Sequence, residues 1–225
     1  MRGAHVSLPQ RSPPVTAAQC AVGGAPLRAR LDAVCAEGWA IWDAFDHTVR
    51  ARGFHPFVAA DYDAVRAVLL GLPARGRRFL EWGSASGVIT VMADLLGFDA
   101  CGIELDAALV ATARALADRH GSHARFVVGS FLPEGYRWRA PDGDARPGTI
   151  GAGPSGYLQL GRALDEFDVV FGYPWDGEAP LMQDVMRRYG RPDALLLLYD
   201  ATVGIRAFRG AHELRELPPA GGPRP

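Results

Sequence analysis

The sequence predicts an α/β fold, a mostly parallel twisted sheet with helices on both faces. Three observations carry that expectation. Short apolar runs of strand length at 78–82, 100–104, 124–128, 168–172 and 194–200 are separated by stretches suited to helical connections, the alternation expected of parallel strands joined by crossovers. The stretch Phe79-Leu80-Glu81-Trp82-Gly83-Ser84-Ala85-Ser86-Gly87-Val88-Ile89-Thr90 reads as the end of a buried strand, a turn of small residues and the start of a helix. A length of 225 residues fits one such domain with appendages rather than two equal domains.

Composition bounds the function. A net charge of −1 leaves no basic excess for tracking phosphate, so a dedicated nucleic-acid binder is not expected. All 24 basic residues are Arg and the chain has neither Lys nor Asn, a GC-rich coding habit that points to a bacterial source rather than to phosphate binding. Cys20, Cys35 and Cys101 are widely spaced and form no CxxC pair, so neither a disulfide framework nor a metal site is indicated and a reducing, cytoplasmic setting fits. No apolar run approaches the ~20 residues of a membrane span. Arg2, Arg11, Arg28 and Arg30 give the first 30 residues a transit-peptide look, but Pro9, Pro13, Pro14 and Pro26 break any amphipathic helix there. The expected organisation is a disordered tail over 1–25, a helical cap over 26–73, the core over 74–212 and a second disordered tail over 213–225.

Within the cap, Leu27, Leu31, Val34, Cys35, Trp39, Ile41, Trp42, Phe45 and Val49 recur largely at helical spacing, and the stripe is read as packing on the core. An extended linker through His55 and Pro56 leads to Asp61, a good N-cap for a helix over 62–70 that Gly71 and Pro73 close. The first strand follows, then the small-residue turn, where a ligand can approach the backbone and the next helix offers unpaired N–H groups. A dinucleotide fingerprint requires a small third residue where Val88 stands, which disfavours a nicotinamide-dependent oxidoreductase.

The second strand ends in Glu104, seventeen residues beyond Gly87. An acid there, at the carboxyl edge of the neighbouring parallel strand, can accept both hydroxyls of a ribose. Asp106 caps a helix over 107–119, and the third strand leads into Gly129-Ser130-Phe131. From 132 to 156 the chain is rich in Pro, Gly, Asp and Arg, either a lid, part of a binding site or a disordered segment. A helix over 157–164 returns to the fourth strand, which ends in Tyr173-Pro174-Trp175-Asp176-Gly177-Glu178. That loop reads either as an acceptor site, with π-faces at Tyr173 and Trp175 and carboxylates at Asp176 and Glu178, or as a rigid packed turn with solvated acids. A helix over 181–189, the fifth strand and one antiparallel strand over 203–209 complete the core.

Glu81 with small residues at 83, 85 and 87 resembles motif I of the Rossmann-like S-adenosylmethionine (SAM)-dependent methyltransferases, with Ala85 in place of the middle glycine. Gly102-Ile103-Glu104-Leu105-Asp106 resembles motif II of that family, and Gly172-Tyr173-Pro174-Trp175 is similar to its motif IV, where Gly172 replaces an Asn, Asp or Ser. The resemblance spans about 54–209. It is nearest to uncharacterised bacterial members with a Leu-Glu-Trp-Gly-Ser motif I and a Tyr-Pro-Trp motif IV, and more distantly to small protein-lysine methyltransferases.

The resemblance implies SAM as cofactor, bound by Glu81, Gly83, Ser84, Ala85, Gly87, Glu104 and Leu105, with Ser130 and Phe131 at the adenine. It implies His55 and Tyr62 near the methionine end, and Tyr173, Pro174, Trp175 and Asp176 at the transferable methyl. The expected activity is methyl transfer to a protein side chain or small molecule. The alternative is a non-catalytic SAM-binding protein, for which Ala85 and Gly172 speak. The family's sheet ends in an antiparallel pair, so a shortened carboxyl-terminal edge is expected.

Overall fold

The structure, a computed structural model, describes residues 24–49, 57–137, 153–175 and 177–216. The two expected tails, save their inner ends, lie outside the described residues, as do His55, residues 138–152 of the expected loop and Asp176.

Helices α1 (Gly24–Val49) and α2 (Tyr62–Leu70) precede the sheet. The core then runs β1 (Arg78–Trp82), α3 (Val88–Leu95), β2 (Asp99–Glu104), α4 (Ala107–Arg119), β3 (Arg125–Val128), α5 (Gly156–Leu160), β4 (Val169–Gly172), α6 (Ala179–Tyr189), β5 (Leu195–Asp200), β6 (Gly204–Arg209) and β7 (His212–Leu214). The strand order is β3-β2-β1-β4-β5-β6-β7. Strands β1 to β5 are parallel, while β6 runs antiparallel to β5 and β7 antiparallel to β6. The chain winds outward from β1 in one direction and from β4 in the other, the topology that opens a ligand crevice between their carboxyl ends.

Side-chain alternation accounts for both layers. Phe79, Ala100, Phe126, Val169, Phe171 and Leu197 point into one core with α1 to α4, whereas Leu80, Trp82, Cys101, Ile103, Val170 and Leu196 point into another beneath α5 and α6. Burial on both faces explains why these strands are apolar at nearly every position. Helix α3 is buried from Val88 through Ala93 because α1, α2 and the sheet all press on it.

The expected caps form. Asp61 accepts from the N–H groups of Asp63 and Ala64, and Asp106 from those of Ala108 and Leu109. Two expectations need correction. The helix expected over 157–164 stops at Leu160, because Gly161 turns left-handed at φ 63°, and a separate 3-10 turn follows at Leu164–Glu166. At the other end the antiparallel edge holds a short second strand, β7, paired through Arg209↔His212 and Phe208↔Glu213. Those three residues alternate too briefly to register as a strand in the sequence.

Candidate functional site

The carboxyl ends of the parallel strands surround a cleft of about 590 Å³, within the range of small-molecule sites. Gly83 and Ala85 line it from the β1–α3 turn, Glu104 and Leu105 from the end of β2, and Gly129 and Phe131 from the end of β3. Tyr173, Pro174 and Trp175 contribute from the end of β4, and Tyr199, Asp200 and Thr202 from the end of β5. Phe57 and Val58, on the segment before α2, close the rim.

The β1–α3 turn is shaped by three residues with positive φ: Gly83 at 68°, Ala85 at 44° and Gly87 at 79°. The N–H groups of Gly83 and Ser84 both donate to the Ile103 carbonyl, at 2.9 and 3.0 Å, so the turn is stitched to β2. A Cβ at Gly83 would meet nothing within 4 Å, leaving open space over the backbone. Ala85 is the one described non-glycine residue in the left-handed region, a conformation costing ~1 kcal/mol or more. It is held there in part by its N–H, which donates to Glu104 Oε2 at 2.9 Å.

Glu104 therefore ties two strand ends together. Its other oxygen, Oε1, accepts the Asp106 N–H at 2.9 Å. The carboxyl is buried yet lines the cleft, and burial raises its pKa against the opposing pull of these backbone bonds. A carboxylate has about four acceptor positions, so capacity for further donors remains.

Behind the turn lies a small recess lined by Tyr62, Glu81, Ser84 and Ser86. Glu81 accepts the Thr90 N–H at 2.9 Å and the Thr90 hydroxyl, and burial pushes its pKa up to about 8. The side chains of Tyr62 and Ser86 hydrogen-bond, and burial raises the Tyr62 phenol. The Ser84 hydroxyl is buried and has no hydrogen-bond partner among the described residues.

On the β4 side, Tyr173 stands edge-on to Tyr199, ring centroids 4.8 Å apart and planes at 82°. Burial raises the Tyr173 phenol, with Tyr199 and the charge of Asp200 adding to it. At Gly172 a Cβ would lie 3.0 Å from Met182 Sδ, a tight contact with the end of a flexible side chain. Asp200 accepts the N–H groups of Thr202 and Val203 at 2.7 and 3.2 Å, and these bonds hold its carboxyl below the usual range.

Of the residues singled out in the sequence, Gly83, Ala85, Glu104, Leu105, Phe131, Tyr173, Pro174 and Trp175 meet at the cleft. Glu81 and Ser84 meet at the recess behind it. Gly87 instead packs beneath the turn, where a Cβ would come within 2.7 Å of both Ala113 and Phe126. Ser130 does not line the cleft: its Oγ accepts the Leu132 N–H at 3.1 Å within its own turn, while its backbone bonds to Pro154 and Gly156. Glu178 is also no cleft group, being buried with its Oε2 accepting the Trp175 N–H at 3.0 Å, so it clamps the loop. Sequence reasoning missed Tyr199, Asp200 and Thr202. The signal was available, since the end of β5 shares the carboxyl edge that made Glu104 conspicuous.

No protein-family model matches the chain. It is similar to the ribosomal protein L11 methyltransferase of Thermus thermophilus, with 28% identity over 96 residues, 41% of this chain. The match spans 38% of that relative's length. Among solved structures it is similar to an RNA methyltransferase from Salinibacter ruber in complex with S-adenosyl-L-homocysteine, with TM-score 0.47 and 18% identity over 64% of this chain and 78% of that one. A SAM-dependent methyltransferase from Thiobacillus denitrificans, also in complex with S-adenosyl-L-homocysteine, gives TM-score 0.44 and 18% identity over 69% of this chain and 54% of that one. The α/β assignment itself stands on the strand order and pairing of this chain.

Proposed function

We propose that this chain is a SAM-dependent methyltransferase, of the bacterial group with Leu-Glu-Trp-Gly-Ser and Tyr-Pro-Trp motifs, acting on a protein side chain or small molecule in the cytoplasm. The observation that carries this is the convergence of the Gly83–Gly87 turn, the Glu104 carboxylate and the Tyr173–Trp175 loop on one cleft at the switch between β1 and β4. The similarity to the L11 methyltransferase supports the same reading.

The residues present fit the cofactor. Open space over Gly83 admits a ligand against the backbone. Glu104 retains acceptor capacity for ribose hydroxyls, Leu105 and Phe131 offer apolar walls to the adenine, and the orphaned Ser84 hydroxyl can donate toward the recess. Bound there, SAM supplies a methyl group on a cationic sulfonium that a nucleophile can displace in line. The protein's part is chiefly positioning and exclusion of water. Among the described residues lining the cleft there is no Arg or His, so the cleft favours cationic and neutral groups over phosphate, which argues against a nucleic-acid acceptor. The 26–73 segment serves as a cap through Phe57, Val58 and Tyr62, while Ser130 shapes the adenine-side turn from beneath.

Thermal unfolding with SAM, S-adenosylhomocysteine and NAD tests the reading. Ligand at ~100 times its dissociation constant adds ~2.7 kcal/mol, a rise of several degrees, expected for the first two and not for NAD. Glu104→Ala should weaken SAM binding by ~1–3 kcal/mol, and unchanged affinity would remove Glu104 from the ribose. A non-catalytic SAM-binding protein is favoured by Gly172, which places no acid or amide at the end of β4. Transfer of labelled methyl from SAM to a cell extract separates the two.

A further inference from the structure

Resting on the reading of the cleft as a methyl-donor site, we infer that the acceptor is an aliphatic amine, held as its ammonium by Asp200 beside the contacting ring pair of Tyr173 and Tyr199. The fourth strand provides no acid or amide at its end, where residue 172 is Gly and a Cβ would lie 3.0 Å from Met182 Sδ. The adjacent strand provides one instead. The parallel register pairs Gly172 with Leu198, and just beyond it the Tyr173 and Tyr199 rings meet while Pro174 and Asp200 both line the cleft. An anion and two aromatic rings thus reach the cleft together.

That grouping selects for a cation. Ammonium groups are attracted to aromatic faces and to a carboxylate at once, whereas a phosphate or carboxylate acceptor would meet Glu104 and Asp200 with no cation among the described lining residues to offset them. Arg206, whose charge reaches Asp200, is itself engaged by Glu213 through bonds of 2.8 and 2.7 Å. Asp200 is also a poor base, because the Thr202 and Val203 N–H groups stabilise its anion, so it binds and orients rather than abstracts. The ammonium releases one proton to solvent at the cleft mouth. Its nitrogen lone pair then forms the N–C bond to the methyl carbon as the S–C bond breaks, with that electron pair returning to sulfur. The product is a methylated ammonium and the neutral thioether.

The probes are n-hexylamine, hexanol and hexanoate, each titrated into protein saturated with S-adenosylhomocysteine and, separately, assayed for labelled methyl transfer from SAM. Hexylamine should bind and accept methyl while hexanol and hexanoate do neither. Asp200→Asn keeps an oxygen for the Thr202 and Val203 bonds, so the turn stays folded; it should weaken hexylamine binding about tenfold or more with SAM affinity unchanged. Tyr199→Leu, which leaves that carboxylate in place, should weaken the amine in the same way. Hexanol binding as tightly as hexylamine, no hexylamine binding, or an Asp200→Asn loss that falls equally on SAM would each overturn the amine assignment while leaving the cofactor reading standing. Failure of the wild-type protein to bind SAM or S-adenosylhomocysteine would remove both.

Discussion

Among single residues, Glu81 has the clearest consequence for stability. Its carboxyl is fully buried against Thr90, and burial raises its pKa from the ordinary 4.5 to about 8. Between those values the folded protein holds a proton that the unfolded chain has released, so rising pH costs stability across that window. In Glu81→Gln the amide oxygen still accepts from Thr90 but nothing titrates. The stability advantage of wild type over Glu81→Gln should therefore fall by a few kcal/mol in order of magnitude as pH rises from about 5 to 8, and then level. Urea unfolding of both proteins at pH 5, 7 and 9 checks this, and a difference independent of pH would show that Glu81 does not titrate in that range. The residue scale was also where the sequence was most legible for Glu104, since an acid at a strand's carboxyl edge needs only spacing to be noticed. It was least legible for Ser130, because whether a hydroxyl faces a ligand or its own turn depends on a hydrogen bond to Leu132 that no spacing encodes.

At the scale of elements, the β1–α3 turn asks two different things of two glycines. Gly83 and Gly87 both have positive φ, but a Cβ at 83 meets open space and one at 87 meets Ala113 and Phe126 at 2.7 Å. Gly87→Ala should lose ~2–4 kcal/mol, the left-handed cost added to overpacking between α3, α4 and β3. Gly83→Ala should lose only ~1 kcal/mol of stability yet weaken SAM further than Gly87→Ala does per unit of stability lost. Chemical denaturation paired with SAM titration of the two variants separates these roles; equal stability losses would mean that the packing beneath Gly87 relaxes freely. Strands β1 to β5 and helices α2 to α4 were legible because burial on both faces writes apolar runs and because Asp61 and Asp106 mark helix starts by a local bond. The break at Gly161 and the strand His212–Leu214 were not, since a single left-handed glycine ends the one and three residues are too few for the other to show a period.

At the scale of the whole molecule, α1 and α2 pack against α3, the helix that follows the β1–α3 turn. Glu37 bonds Arg119 at 2.6 Å and His120 at 2.7 Å, and Arg30 donates to the His120 carbonyl at 2.8 Å, but such exposed pairs contribute little each. The closer contact is apolar. A Cβ at Gly38 would fall 2.5 Å from Val88 Cγ2 and 3.1 Å from the Tyr62 ring. In an open helix, Gly→Ala is stabilising by ~1 kcal/mol. Here Val88 is buried and stiff at χ1 and cannot swing aside, so overpacking of ~1–3 kcal/mol should win and Gly38→Ala should be less stable than wild type. Because Val88 directly follows the β1–α3 turn and Tyr62 bonds Ser86 within it, the same variant should bind SAM more weakly although residue 38 lines no part of the cleft. Thermal unfolding and SAM titration of Gly38→Ala check both expectations. A more stable variant with undiminished SAM affinity would mean that α1 does not bear on the turn and is an appendage rather than part of the site.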